Sequence, residues 1–260
     1  MFHKILNRLN YLWRLFSTGL SFVVFGVGGL ILGAIVFPLI TLLPYSEKKK
    51  RDMIRKSVTW TFNFFFWMMH YLGILRFNVV GRELIKEDKS CLVIANHPSL
   101  IDVVALISMY PNACCIVKKE LWNNFFLKRV VTGAGYIPND DPEILLKSCS
   151  ESIQRGDVLI IFPEGTRTVP GKGMALQRGA AHIALRLKCP VRTIQIDVRP
   201  SMLTKNLPWY SIPSRRVDFD VKVKAMLPVN QYLDNNIPPS LASRRLTQKM
   251  RENIDIELTN

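Results

Sequence analysis

Acidic residues are scarce in this 260-residue chain: Asp and Glu number 20 against 35 Lys and Arg, for a formal charge of +15. Cysteine is scarcer still and follows no pattern. The five cysteines, Cys91, Cys114, Cys115, Cys149 and Cys189, are odd in number, scattered and mostly inside apolar runs. That is the usage of reduced thiols packed as small hydrophobes, not of a disulfide framework, and it favours a domain facing the cytoplasm. With no Cys-x-x-Cys pair and no cluster among the four histidines, nothing proposes a metal site. Zinc-finger spacing, an RNA-binding aromatic signature and a Gly-rich basic tract are missing too, so the positive charge has no nucleic-acid motif to serve. No Gly-x-Ser-x-Gly elbow, internal repeat or low-complexity linker occurs.

Apolar sequence, by contrast, is plentiful at 48%, enough to bury a full core, and one catalytic domain plus an appendage is the natural expectation. From Leu15 to Ser46 there are 32 consecutive uncharged residues, bounded by Arg14 and by Glu47 with Lys48, Lys49, Lys50 and Arg51. A bilayer core needs about 20 apolar residues in a helix, so this stretch is long enough to span it. A cleaved signal peptide, whose apolar region is about 7–15 residues with a small-residue cleavage site, fits less well. Pro38, Pro44 and the glycines at 26, 28, 29 and 33 leave open a re-entrant hairpin in place of a span. Residues 1–76 hold ten Lys or Arg against Glu47 and Asp52, so over half of the excess charge flanks this segment, which suits an anionic membrane surface. Ser57–Leu75 is a second uncharged stretch, crowded with Trp60, Phe62, Phe64, Phe65, Phe66, Trp67 and Tyr71. Its aromatic density suits the headgroup boundary, and a buried core helix is an equally good reading.

After Arg76 short apolar runs alternate with longer amphipathic segments, the pattern of an α/β domain. We therefore expect a membrane-anchoring helical region at 1–76 and an α/β domain at 77–260, with a central mixed sheet flanked by helices. Expected strands are Phe77–Val80, Cys91–Ala95, Ala113–Val117, Val158–Phe162, Val191–Asp197 and Val217–Ala225. Expected helices are Asp102–Met109, Trp122–Val131, Pro142–Arg155 and Arg178–Leu187, with a basic amphipathic helix over Leu241–Leu258.

Two strand ends carry chemistry. Cys91–Asp102, CLVIANHPSLID, is an apolar strand that runs through His97 and Pro98 into a helix. Proline disfavours helical geometry in the residue before it, so His97 belongs to the loop at the carboxyl edge of the sheet, where open α/β folds bind ligands. Asp102, five residues on, can reach back to one imidazole nitrogen and leave the other free to take a proton. The bland alternative is a Ser99-x-x-Asp102 capping box with an idle histidine. Val158–Arg167, VLIIFPEGTR, ends in Glu164, Gly165, Thr166 and Arg167, a glycine-permitted close approach of backbone to ligand flanked by a guanidinium able to grip a phosphate. Taken singly, that segment is also ordinary turn chemistry. Lys118 and Lys119 end another expected strand and read as a phosphate grip or as a solvated pair.

Together, Asn96-His97-Pro98-Ser99 with Asp102 and Phe162-Pro163-Glu164-Gly165-Thr166-Arg167 resemble the glycerophospholipid acyltransferase family, typified by 1-acylglycerol-3-phosphate acyltransferases, over residues 77–200. The resemblance implies that His97 and Asp102 form a catalytic dyad and that Glu164, Gly165, Thr166 and Arg167 bind the acceptor's phosphate. It implies no metal or prosthetic group, only acyl-coenzyme A or acyl-carrier protein as co-substrate, with a membrane lysolipid as acceptor. Gly133-Ala134-Gly135-Tyr136-Ile137 resembles the family's second block, but Pro138, Asn139, Asp140 and Asp141 stand where an arginine is expected, which puts lysophosphatidate itself in question. Cys189-Pro190-Val191 resembles the fourth block, expected to shape the acyl site. The alternatives are an acyltransferase of a specialised non-phosphatidate lipid, a hydrolase or transacylase with Ser99 as nucleophile, or a non-catalytic lipid-binding protein.

Overall fold

A computed structural model of the protein describes residues 2–169, 173–233 and 237–255. Seven strands, β1 (Leu75–Val80), β2 (Cys91–Ala95), β3 (Ala113–Lys118), β4 (Ile137–Asn139), β5 (Val158–Ile161), β6 (Val191–Arg199) and β7 (Val217–Leu227), form one sheet ordered β1-β7-β6-β2-β5-β3-β4. The β6/β7 pair is antiparallel and the other pairs are parallel, so the sheet is mixed as expected. β2 and β5 are buried at every position, as continuous Val/Ile/Leu runs require when a strand is covered on both faces. Side-chain alternation divides the core: Cys91, Val93 and Ala95 pack on one face of the sheet and Leu92 and Ile94 on the other.

The eight α-helices are α1 (Phe2–Ile31), α2 (Phe37–Leu42), α3 (Glu47–Tyr71), α4 (Asp102–Met109), α5 (Lys128–Gly133), α6 (Pro142–Gln154), α7 (Gly179–Leu187) and α8 (Pro239–Ile254) among the described residues. One π turn, Leu32–Val36, joins α1 to α2. α3 and α4 cover the first face of the sheet, and α6, α7 and α8 the second. The core crosses residue 76 without a break, since Val58, Phe62, Phe65 and Met69 share one buried cluster with Val93 and Ala95.

One expected helix needs correction and one strand was not foreseen. Trp122–Val131 is not one helix: a 3-10 turn covers Lys119–Asn123 and α5 starts only at Lys128. The Asn124 carboxamide oxygen accepts from the amides of Phe126 (3.0 Å) and Leu127 (3.1 Å), a local turn that competes with the helix. β4 was not anticipated, because three residues including Pro138 carry no alternation, and only an edge position tolerates that proline. The C-terminal helix is α8, and the end of its expected range, 256–258, lies outside the described residues.

The two aromatic and apolar segments behave differently. α3 is a core helix on one face, while on the other Trp60, Phe64, Trp67 and Tyr71 stay exposed, ring against ring at 6.2, 5.7 and 4.6 Å. α1 is turned inside out. Arg14, Ser17, Thr18 and Ser21 are buried against the rest of the chain, whereas Leu9, Leu12, Phe16, Leu20, Val23, Val27, Ile31, Ile35, Leu39 and Leu42 form an exposed stripe at helical spacing along α1 and α2.

Candidate active site

β2 and β5 are parallel neighbours with Ile94 opposite Ile161, so the residues three positions further along each chain, His97 and Glu164, emerge side by side at the carboxyl edge of the sheet. Asn96 fixes the end of β2 from the other side: its carboxamide accepts from the Ile196 amide and donates to the Ile196 carbonyl, both at 2.7 Å. His97 is thus held in a loop whose ends cannot drift.

His97 Nδ1 lies 2.8 Å from Asp102 Oδ2. The same oxygen accepts from the Ser99 amide at 2.7 Å, so Asp102 both ties down the loop and orients the imidazole; only this half of the capping box forms, since the Ser99 hydroxyl has no hydrogen-bond partner among the described residues. The Asp102 side chain has no exposed surface, whereas His97 keeps 16%. Only the imidazole can therefore meet a substrate, with Nε2 turned away from the carboxylate. Burial pushes the Asp102 carboxyl up to about 6 despite the opposing hydrogen bond from His97. Its Oδ1 is buried without a hydrogen-bond partner among the described residues, which leaves the charge incompletely compensated. The Phe162 ring lies 4.4 Å from the imidazole and shields its flank. Ser99 is fully buried, hydroxyl included, and out of reach of an acyl donor.

The four residues of the second motif divide their tasks. Glu164 Oε1 accepts from the His97 amide (3.0 Å) and from the Thr168 hydroxyl (2.7 Å), so it grips the histidine's main chain. Gly165 adopts φ +67°, and a Cβ there would come within 3.0 Å of the Gln177 side chain. Arg167 spends one nitrogen, Nη1, on the carbonyls of Leu203 and Thr204, each at 2.9 Å. Gly165, Thr166 and Arg167 line the same cavity as His97. Sequence reasoning missed Thr168, whose hydroxyl also accepts from the His97 amide (3.2 Å) and whose amide donates to the His97 carbonyl (2.7 Å). One threonine in a loop has no periodicity to give it away.

From His97 a cavity of about 850 Å³ runs under the N-terminal helices to Phe22, Phe25, Phe62 and Phe65, apolar in its depth and polar at its mouth. Lys118 and Asn139 reach this cavity from the ends of β3 and β4, whereas Lys119 is paired with Asp140 at 2.5 Å. Cys189-Pro190-Val191 does not shape it: this turn begins β6 and so lies at the opposite edge of the sheet. All five cysteines are buried and free, and burial pushes Cys91 and Cys149 up to about 12. They are packing residues, as their sequence context suggested.

A family model described as Acyltransferase matches residues 76–197, a stretch that holds both motifs. The 1-acyl-sn-glycerol-3-phosphate acyltransferase of Helicobacter pylori strain J99 is 34% identical over 142 residues, 50% of this chain and 57% of that protein. A putative 1-acyl-sn-glycerol-3-phosphate acyltransferase of Caenorhabditis elegans is 28% identical over 175 residues, 65% of this chain and 59% of that one. The matched region thus spans under two thirds of these relatives' length. The fold resembles the crystal structure of the 1-acyl-sn-glycerophosphate acyltransferase PlsC from Thermotoga maritima, with a TM-score of 0.68 at 19% identity over 98% of this chain and 99% of that one.

Proposed function

We propose that this protein is an O-acyltransferase that moves a fatty acyl group from a thioester, acyl-coenzyme A or acyl-carrier protein, to the hydroxyl of a membrane lysophospholipid of the 1-acylglycerol-3-phosphate type. The observation that carries this reading is the 2.8 Å contact between His97 and a fully buried Asp102 at the mouth of an apolar cavity. His97 Nδ1–H donates to Asp102, and Nε2 takes the acceptor's hydroxyl proton as the oxygen attacks the thioester carbonyl. A C–O bond forms, the C–S bond breaks, and the departing thiolate recovers the proton from the imidazolium, whose charge Asp102 balances meanwhile. No enzyme ester forms, in keeping with the burial of Ser99. Folded His97→Ala should lose about 10³-fold in thiol release. Near-normal turnover by that variant would remove the mechanism, and absence of thiol release by the wild type with every lysolipid and long-chain donor would favour a lipid-binding protein instead.

The functional division is an anchoring region over 1–76 and a catalytic domain over 77–260, working on the cytoplasmic face, as the reduced cysteines suggest. Ile5–Leu42 is long and apolar enough to cross a bilayer, but its packing favours an in-plane position. Trp13 donates to the Leu72 carbonyl (3.0 Å), Gly19 faces Trp209, Phe25 stacks on Phe62 (5.7 Å), and Gly33 admits Arg129 so closely that a Cβ would meet it at 2.6 Å. Gly133 meets Phe37 in the same way. These contacts run from residue 13 to 37, roughly 36 Å of helix, which exceeds the roughly 30 Å hydrocarbon core. A crossing helix would drag the domain's polar surface into lipid, while a helix lying flat presents its exposed stripe to one leaflet. Val23→Asp with Val27→Asp should lower partition onto anionic vesicles by at least about tenfold with the fold intact; unchanged partition would exclude this placement.

A further inference from the structure

The mouth of the cavity collects basic side chains. Among the residues lining it, Lys118, Arg167 and Lys205 face a single carboxylate, Glu120. Arg167 is tied through Nη1 to backbone carbonyls, whereas no ion pair or side-chain hydrogen bond holds the ammonium groups of Lys118 and Lys205 among the described residues. Lys205 belongs to the segment after β6, and its position is heavily determined. The Leu203 carbonyl receives both Arg167 and the Leu100 amide (3.1 Å), and the Thr204 carbonyl receives Arg167 again. Leu203 at φ +53° and Asn206 at φ +68° bracket the lysine in a left-handed backbone that non-glycine residues adopt at a cost. Such a conformation persists when its surroundings impose it, and here they impose that Lys205 and Asn206 face the cavity. A few residues further on, Trp209 packs against Phe22 (5.9 Å), which closes the segment onto the helix that faces lipid.

We propose that Lys205 is the specificity-determining cation for the acceptor's headgroup, selecting lysolipids that carry a phosphate monoester. This rests on the acyltransferase reading of the same site. The deep part of the cavity is apolar and has no use for charge, so an acceptor whose hydroxyl lies at His97 leaves its phosphate at the mouth. There Lys205 adds a charge-assisted hydrogen bond that Arg167, held by two carbonyls, supplies only in part. Asp140 does not oppose the anion, because Lys119 neutralises it. A dianionic monoester gains more from an unpaired ammonium in a half-buried site than does a zwitterionic phosphodiester such as phosphocholine.

The test compares Lys205→Gln, Lys205→Glu and Lys205→Arg in the full chain, with lysophosphatidate, lysophosphatidylcholine and phosphate-free monoacylglycerol as acceptors. Lys205→Gln should raise KM for lysophosphatidate about tenfold with kcat within about threefold, Lys205→Glu should raise it further, and Lys205→Arg should restore it largely. The preference in kcat/KM for lysophosphatidate over monoacylglycerol should fall in step. Equal weakening toward all three acceptors, or an unchanged KM for lysophosphatidate, overturns the assignment while leaving the acyltransferase reading in place. Equilibrium binding of lysophosphatidate to His97→Ala, with and without Lys205→Glu, separates the opposite case. Lys205-dependent binding in a wild type that transfers nothing keeps the phosphate site and sinks the transferase.

Discussion

Buried carboxylates meet opposite treatment at the two edges of the sheet. At the amino-terminal edge Asp88 faces the Arg192 guanidinium, with Nε 3.0 Å from Oδ2, and also accepts from the Tyr110 hydroxyl at 2.8 Å. Asp157 lies 2.8 Å from Arg55 and accepts from Ser152 at 2.9 Å. These guanidiniums also reach main-chain carbonyls, Arg192 those of Leu84 and Lys224 and Arg55 that of Ala134, and so tie α3 and the β-strands together. At the carboxyl edge Asp102 is as deeply buried but has a histidine, one amide and an empty oxygen. The same desolvation cost is offset by a permanent cation at one edge and left standing at the other. An ion pair with arginine builds structure, and a carboxylate that answers only to an imidazole can follow a proton.

The largest expected effect sharpens this comparison. Asp102→Asn should lower kcat by about 10³-fold, because no charge is left to balance the imidazolium. Its effect on stability should run the other way. The folded carboxyl, pushed up to about 6 by burial, holds its proton more tightly than the unfolded one at about 4. Its contribution to stability is therefore fully present below about pH 4 and lost as pH rises through about 6, on the order of 3 kcal/mol at neutral pH. Thermal denaturation should show Asp102→Asn at least as stable as wild type at pH 7, and the wild-type rate should fall with acid as Asp102 protonates near pH 6. A variant markedly less stable at pH 7 would mean that the two edges do not differ in kind.

The next effect falls on the other edge. Arg192→Met strands Asp88 as a lone buried charge and should cost about 3–5 kcal/mol in urea unfolding, with turnover per folded molecule preserved. If both Arg192→Met and Asp102→Asn destabilise alike, the comparison breaks.

These differences explain what the sequence could and could not show. β2 and β5 were legible because continuous apolar runs have few alternatives in an α/β chain, and His97 follows from Pro98 alone. The five-residue spacing to Asp102 likewise foretold a contact that the fold then makes. β4 and the break before Lys128 were illegible, since Pro138 and Asn124 act through local geometry and not through periodicity. α1 and α8 show the limit of periodicity most clearly. Both carry an apolar stripe, but α8 turns Ala242, Leu246, Met250 and Ile254 inward, whereas α1 turns its stripe outward and buries Arg14, Ser17, Thr18 and Ser21. A stripe reports that one face is apolar; which solvent that face meets depends on neighbours such as Ser214, whose carbonyl accepts from Arg14 two hundred residues away. Lys205 was hidden for the same reason, more than a hundred residues from His97 and marked by no motif.

The smallest expected effect tests how far the carboxyl edge depends on its backbone. Thr168 bonds His97 twice through the main chain, while its hydroxyl shares Glu164 Oε1 with the His97 amide. It touches neither the imidazole nor Asp102 in these bonds, so it is a positioning residue. Thr168→Val keeps the shape but removes the hydroxyl, leaving Glu164 with one fewer donor and the loop looser at the histidine. Turnover should fall about tenfold with KM for both substrates nearly unchanged, since a small misplacement of the base weakens the transition state more than the bound ground state. Thr168→Ser restores the hydroxyl and should recover most of the rate. Equal loss in Thr168→Ser and Thr168→Val would assign the effect to packing and not to the Thr168 hydroxyl.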